Sequence, residues 1–387
     1  MTSSPVEFPL GFTATVGRIG IKSDRDDILI VACDRPATVS GLYTRSTFAG
    51  PSVLLSRENT ASGRGRAVVV IAQNANVATG ERGMDNAREV VALTAALTGC
   101  DPAEVAIAST GVIGRPYPMA KVRSWFDGAS WPAVGVDAVA AATAMMTTDT
   151  HPKTSGATVG GARVVGLSKG VGMIEPDMAT LITLVFTDAE IAPERLDAMW
   201  RRVIDVTFNA VSIDTDTSTS DTAVVMASGA SGPVDEQALE DALHAVALDL
   251  TRQTAADGEG ATKLLVVTVD GARDRLQARR VAKSIVNSPL VKTAVYGADP
   301  NWGRVAMAIG KCSEYTDIDQ EKVVIRFGSQ EVYPRLLPDA ELEKLSGYLG
   351  GDEILIHVTL HTGGEAFTVY GCDLTEEYVH INADYTT

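Results

Sequence analysis

The sequence predicts an α/β (mixed α+β) protein with a mixed sheet, and three observations lead there. Short β-branched runs recur along the chain, stretches with helical spacing lie between many of them, and some strand candidates adjoin with no helix between, notably near the C-terminus. In chain order, β-branched runs at 28–33 and 67–72 read as strands, 85–97 as a helix, 105–108 as a strand and 136–145 as a helix. Strand candidates follow at 163–167 and 180–186, then helices at 193–208 and 236–254. The remainder gives a strand at 264–269, a helix at 274–286, and strands at 323–327, 353–360 and 366–370. Strands outnumber helices, so a (β/α) barrel is disfavoured. Residues 147–161, rich in Thr and Gly and carrying Pro152, read as a long surface loop.

The chain has 387 residues, 45% hydrophobic and 21% charged, which is enough ordinary globular sequence for a large core. With 33 basic against 49 acidic residues its net charge is −16, which disfavours a nucleic-acid partner. No signal-peptide pattern is evident in the first 14 residues and no apolar run approaches a membrane span, so a cytoplasmic protein is expected. Cys33, Cys100, Cys312 and Cys372 lie far apart, without CxxC spacing, as thiols in a reducing compartment do. No His, Cys and carboxylate cluster has metal-ligand spacing, so no metal is expected.

The richest stretch is Lys169-Gly170-Val171-Gly172-Met173-Ile174-Glu175-Pro176-Asp177-Met178-Ala179-Thr180, which runs into the apolar series starting at Leu181. As a dinucleotide fingerprint it fails, because Glu175 stands where the third glycine belongs and a strand follows instead of a helix. As a catalytic element, it offers glycines for close backbone approach, a cation at Lys169, and a hydroxyl at Thr180 where loop becomes strand. On local evidence alone the structural reading of Thr180, as a strand-start threonine, is the stronger of the two. A nucleophilic threonine needs a base, and none of the five histidines lies in a recognisable triad context. Were the Ala179-Thr180 bond cut, the new α-amine, of pKa roughly 7.7–8.0, would sit within the nucleophile's own residue. The polar run Ile213-Asp214-Thr215-Asp216-Thr217-Ser218-Thr219-Ser220-Asp221 begins like a calcium loop but lacks its glycine and its bidentate Glu; it reads as a loop bonded to its own backbone.

Further motifs make the chain recognisable. They are Ser109-Thr110-Gly111-Val112-Ile113-Gly114, Met146-Thr147-Thr148-Asp149-Thr150, the Lys169 to Thr180 stretch, Asp257-Gly258-Glu259-Gly260-Ala261-Thr262-Lys263, Asp299-Pro300-Asn301-Trp302-Gly303-Arg304 and Asn382-Ala383-Asp384-Tyr385-Thr386-Thr387. In this order they resemble the ornithine acetyltransferase (glutamate N-acetyltransferase) family along nearly the whole chain. The resemblance implies the fold shared with self-processing aminopeptidases, with mixed sheets sandwiched by helices, and self-cleavage before Thr180 into an α chain (1–179) and a β chain (180–387) that stay associated. It further implies that Thr180 carries acetyl from N2-acetylornithine to glutamate without a cofactor, in a homo-oligomer of αβ units. By the same resemblance Thr110 and Gly111 form the oxyanion hole, and Thr147, Lys169, Thr180, Glu259, Asn382 and Thr387 contact substrate. Taken alone, Ser109-Thr110-Gly111 reads as a strand-to-turn corner, Glu259 as a loop acid and Asn382 as a tail residue. The rivals are an amidohydrolase or aminopeptidase on the same scaffold and a non-catalytic amino-acid binder. Whether acetyl-CoA also serves as donor stays open. Thr215 and Ser220 depart from the Gly and Asn of many arginine-pathway members, and the wording around Met173 to Asp177 resembles a branch found with clavam antibiotic genes. Asp299 to Arg304 is assigned no role: it could order the site or close a surface loop.

Overall fold

The computed structural model describes residues 7–21, 25–132, 136–175, 181–335 and 337–384. Two mixed sheets, both helix-covered, confirm the mixed α/β expectation. The first half of the chain supplies β1 (Phe12–Gly17), β2 (Ile28–Tyr43), α1 (Pro51–Asn59), β3 (Arg64–Ile71), α2 (Gly80–Thr98), β4 (Val105–Ser109), α3 (Met119–Gly128), α4 (Ala138–Met145), β5 (Lys153–Val159) and β6 (Ala162–Lys169). Then come β7 (Ile182–Glu190), α5 (Pro193–Val206), β8 (Thr222–Pro233), α6 (Glu236–Ala256), β9 (Leu264–Ala272), α7 (Arg275–Val286), α8 (Pro289–Tyr296) and α9 (Trp302–Gly310). The chain closes with β10 (Val324–Phe327), β11 (Gln330–Tyr333), α10 (Asp339–Leu349), β12 (Glu353–Thr359), β13 (Glu365–Cys372) and α11 (Glu376–Asp384).

The larger sheet has the order β4-β3-β2-β8-β7-β6-β5, with β1 also paired to β2. β2 serves two neighbourhoods because it breaks in the middle. Its first half pairs with β1 and β3, and its second half with β8; between them Asp34, Arg35 and Pro36 are exposed and the register with β3 shifts. Proline has no N–H for a ladder, which suits that break. One face of the sheet forms a continuous core, from Leu29 and Val68 to Leu184 and Val224, under the alanine-rich α4. On the opposite face α2 and α3 cover β2 to β4, while α5 and α6 cover β6 to β8 around fully buried Trp200. The smaller sheet, β11-β10-β12-β9-β13, packs against α7, α9 and α10. Among the described residues no helix is long and apolar enough to cross a membrane.

The expected surface loop at 147–161 is corrected by the fold. Residues Lys153–Val159 form β5, antiparallel to β6, and both Asp149 and Lys153 are buried. The overlooked signal is Gly160-Gly161: both have positive φ, +52° and +91°, as a two-residue hairpin turn of the primed type demands. The polar composition of β5 reflects its edge position, where alternate residues face solvent. β1, β8 and β11, and α1, α3, α8, α9, α10 and α11, also go beyond the elements expected from the sequence.

Candidate active site

Strands β3 and β4 run parallel and finish side by side, with Ile71 opposite Ser109. Thr110 extends the pairing by donating its N–H to the Ile71 carbonyl at 3.1 Å. The chain then turns at Gly111, whose φ is +124° and where a Cβ would lie 2.3 Å from the Gln73 carbonyl carbon. Only glycine fits this corner. Gln73, itself at φ +72°, donates from Nε2 to the Met146 carbonyl at 3.0 Å, tying the corner to the segment that leads into β5.

Beneath this corner lies a buried chain of charges. Lys169 ends β6 and donates from Nζ to Thr110 Oγ1 at 3.3 Å. Asp149 Oδ1 accepts from the Gly170 N–H at 2.7 Å and from Lys153 Nζ at 2.8 Å, while its Oδ2 accepts from the Thr147 N–H at 3.0 Å. Lys153 Nζ also donates to Asp257 at 2.5 Å, and Asp257 accepts from both the N–H and the hydroxyl of Thr150. Burial alone would raise the Asp149 carboxyl, but the charges of Lys169 and Lys153 and its hydrogen bonds outweigh it and hold the group at about 2. Burial pushes the Lys169 ammonium below the usual lysine range; Asp149, Glu259 and Asp221 oppose that shift and Lys153 adds to it. The network depends on mutual pairing, since removing one partner of a buried ion pair costs roughly 3–5 kcal/mol.

The glycine-rich loop that follows Lys169 is held from two sides. The Glu259 N–H donates to the Val171 carbonyl at 2.8 Å, and a Cβ at Gly172 would lie 2.6 Å from Glu259 Oε2, so the missing side chain lets the carboxylate approach. Asp214 accepts from the N–H groups of Met173 and Ile174, at 2.5 and 2.7 Å. Burial raises the Asp214 carboxyl against these hydrogen bonds. The polar loop therefore does bond its own backbone, at Asp216 N–H and Ser220 N–H, and its first aspartate also clamps the glycine-rich loop. Thr215 has φ +70°, a left-handed conformation that glycine adopts freely and a β-branched residue does not. Glu175 anchors the far end, accepting from Ser212 Oγ, Asn287 Nδ2 and Lys283 Nζ.

These segments enclose a cavity of about 160 Å³. Thr110, Gly111, Thr147, Lys169, Glu259 and Asn382 all line it, together with Leu181 and Ile182 at the start of β7. Glu259 is preset by two neutral donors, Thr148 Oγ1 at 3.1 Å and Asn382 Nδ2 at 2.8 Å. Asp214, Asp216 and Tyr378 complete that wall. Burial, followed by the charges of Asp214, Glu259 and Asp216, pushes the Tyr378 phenol up to about 12, so it remains a neutral donor. The cavity thus has a hydroxyl and a buried cation at one end and an acidic wall at the other, a pattern suited to a small zwitterionic or ammonium-bearing ligand.

The ArgJ family profile matches residues 13–387. The chain belongs to the ArgJ family. It is similar to glutamate N-acetyltransferase Oat2 of Streptomyces clavuligerus, 56% identical over 393 aligned residues that cover 100% of both chains. The arginine biosynthesis bifunctional protein ArgJ 2 of Nostoc sp. is 50% identical over 379 residues, 98% of each chain. The ArgJ protein of Thermus thermophilus is 45% identical over 386 residues, covering 99% of this chain and 100% of its own.

Six of the residues singled out by family resemblance thus share one ArgJ cavity. Ala179, Thr180 and Thr387 lie outside the described residues. The sequence reading overlooked Asp149, Lys153, Asp257, Asp214 and Tyr378 as contributors. Asp149 belongs to the Met146 to Thr150 motif, two positions after Thr147, and is legible there; nothing local marks Lys153 or Tyr378. Asp299 to Arg304 starts α9, with Arg304 Nη1 donating to the Leu290 carbonyl at 2.7 Å and Trp302 stacked on Tyr333, away from the residues lining this cavity.

Proposed function

We propose that this chain is a glutamate N-acetyltransferase of the ornithine acetyltransferase type, working through an acetyl-Thr180 intermediate. The observation that carries the reading is the single cavity that Thr110, Gly111, Lys169 and Glu259 share with Leu181 and Ile182, the two residues that follow Thr180 in sequence. Full-length similarity to relatives named for glutamate N-acetyl transfer and arginine biosynthesis supports it. In the maturation step the Thr180 hydroxyl attacks the Ala179 carbonyl, the peptide C–N bond breaks, and water hydrolyses the resulting ester. The products, 1–179 and 180–387, stay together because β8 is inserted between β2 and β7, and β6 pairs with β7, so strands of both pieces share one sheet.

The freed α-amine of Thr180 then takes the hydroxyl proton as the oxygen attacks the acetyl carbonyl of N2-acetylornithine. The Thr110 hydroxyl and the Gly111 N–H stabilise the tetrahedral oxygen. The C–N bond breaks, the ornithine amine leaves with the proton, and the acetyl ester remains on Thr180. Glutamate's amine reverses the sequence and departs as N-acetylglutamate. Lys169 meets the substrate carboxylate and Glu259 its ammonium, with Thr147, Asn382 and Thr387 as further contacts. No metal or other cofactor enters this scheme. We place the enzyme in the cytoplasm as a homo-oligomer of αβ units.

Incubation with N2-acetylornithine and glutamate, in the presence of a chelator and without added cofactor, tests this. The expected products are equal amounts of ornithine and N-acetylglutamate. Free acetate in their place would identify an amidohydrolase on the same scaffold.

A further inference from the structure

We propose that Asp149 is a positioning residue for acyl transfer: through Lys169 it fixes the Thr110 hydroxyl as a donor toward the cavity. This rests on the acyl-transfer reading above and extends it to a residue outside the expected substrate and oxyanion contacts. The argument starts from hydrogen-bond inventory. A protonated lysine has three donors and no acceptor, so in the 3.3 Å contact between Lys169 Nζ and Thr110 Oγ1 the threonine oxygen must accept. The single hydroxyl proton is then left for another direction, toward the cavity that Thr110 lines. A neutral Lys169 would carry a lone pair able to take that proton, turning the hydroxyl away from the reacting oxygen. The charge and position of Lys169 therefore decide which way Thr110 donates.

Asp149 controls both. Its carboxylate accepts from the Gly170 N–H, immediately after Lys169, and from the Thr147 N–H, so one buried side chain locks two cavity-lining segments. The charged groups influencing Lys169 are Asp149 beyond α4, Lys153 on β5, Glu259 beyond α6 and Asp221 before β8. Asp257 acts one step away, through Lys153. Asp149 favours the ammonium form and Lys153 disfavours it, so removing either predicts opposite signs.

The test is the pH dependence of kcat/KM, with rates normalised to the fraction of sites that accept labelled acetyl. Activity needs protonated Lys169 and is lost as pH rises through its pKa. Asp149→Asn should move this basic limb to lower pH, because the carboxylate charge that favours the ammonium is lost, and reduce kcat in both half-reactions more than it changes KM. Lys153→Gln should move the limb upward. Asp149→Glu keeps the charge and should restore the parent limb, which serves as the readout if the Asn variant fails to mature. A basic limb unmoved in both Asp149→Asn and Lys153→Gln, or moved the same way in the two, would overturn the proposal. Loss of transfer in the parent enzyme would instead remove the functional reading beneath it.

Discussion

At the inner end of the cavity Lys169, Asp149 and Lys153 are buried, with Asp149 hydrogen-bonded to Lys153 and to the Gly170 N–H beside Lys169, whereas at the outer end α11 has no buried residue and holds Asn382 over Glu259 from an exposed position. Lys169 and Lys153 sit at strand ends and Asp149 in the segment between α4 and β5, and these groups cannot move without breaking an ion-pair network. Of the outer ones, Asn382 sits on α11, the last helix described, and Glu259 on the turn between α6 and β9. In the proposed mechanism this contrast has a chemical purpose: donors aimed at developing charge act best when already in place, while groups that select a ligand can adjust as it enters. Substitutions at Thr110 and Asp149 should therefore act on kcat, and those at the outer end on KM.

The largest effect at either end should come from Thr110→Ala. Removing one oxyanion donor typically raises the barrier by about 2.7–4 kcal/mol, or roughly 10²–10³ in kcat, and steady-state kinetics should show KM changing far less. Next come the outer residues, measured as a pair. Glu259→Gln keeps the shape but loses the charge, and charged hydrogen bonds of about 1.5–3 kcal/mol imply a KM increase of roughly ten- to a hundredfold for ammonium-bearing substrates. Asn382→Ala removes one exposed neutral donor worth about 0.5–1.5 kcal/mol, so it should raise KM by roughly tenfold or less with kcat retained. A Thr110→Ala enzyme with normal kcat, or an Asn382→Ala enzyme whose kcat falls as far as that of Thr110→Ala, would erase the distinction between the two ends.

What the sequence reveals differs between these ends for a physical reason. Thr110, Gly111, Lys169 and Glu259 stand in short local motifs, and a motif survives reading because its residues act next to one another. Even so, the corner at Ser109 to Gly111 looks like any strand end until its parallel partner β3 is known; the steric need for Gly111 arises from Gln73, far away in sequence. Lys153 is hidden for the opposite reason. Its segment has loop-like composition because β5 is a half-exposed edge strand, yet Lys153 itself is buried between Asp149 and Asp257, and the second of these is more than a hundred residues distant. Only the Gly160-Gly161 turn carried a local sign that a hairpin was present. The helices α8 and α9 escaped because they are short and lie in a stretch punctuated by Pro289, Gly297, Pro300 and Gly303, although Ser288 caps α8 by accepting from the Val291 N–H in the usual N-terminal manner.

The central claim is that Thr180 is both the cleavage nucleophile and the acetyl carrier, and intact-mass spectrometry tests it most directly. Before cleavage the Thr180 nitrogen is an amide without useful basicity; afterwards it is an amine of pKa roughly 7.7–8.0, able to serve the adjacent hydroxyl. The parent protein should separate under denaturing conditions into chains 1–179 and 180–387, and with N2-acetylornithine but no glutamate the second chain alone should gain one acetyl group, removed again when glutamate is added. Thr180→Ala should remain a single polypeptide and gain no acetyl group. A folded Thr180→Ala protein that still divides before residue 180, or still transfers acetyl at the parent rate, would contradict the account.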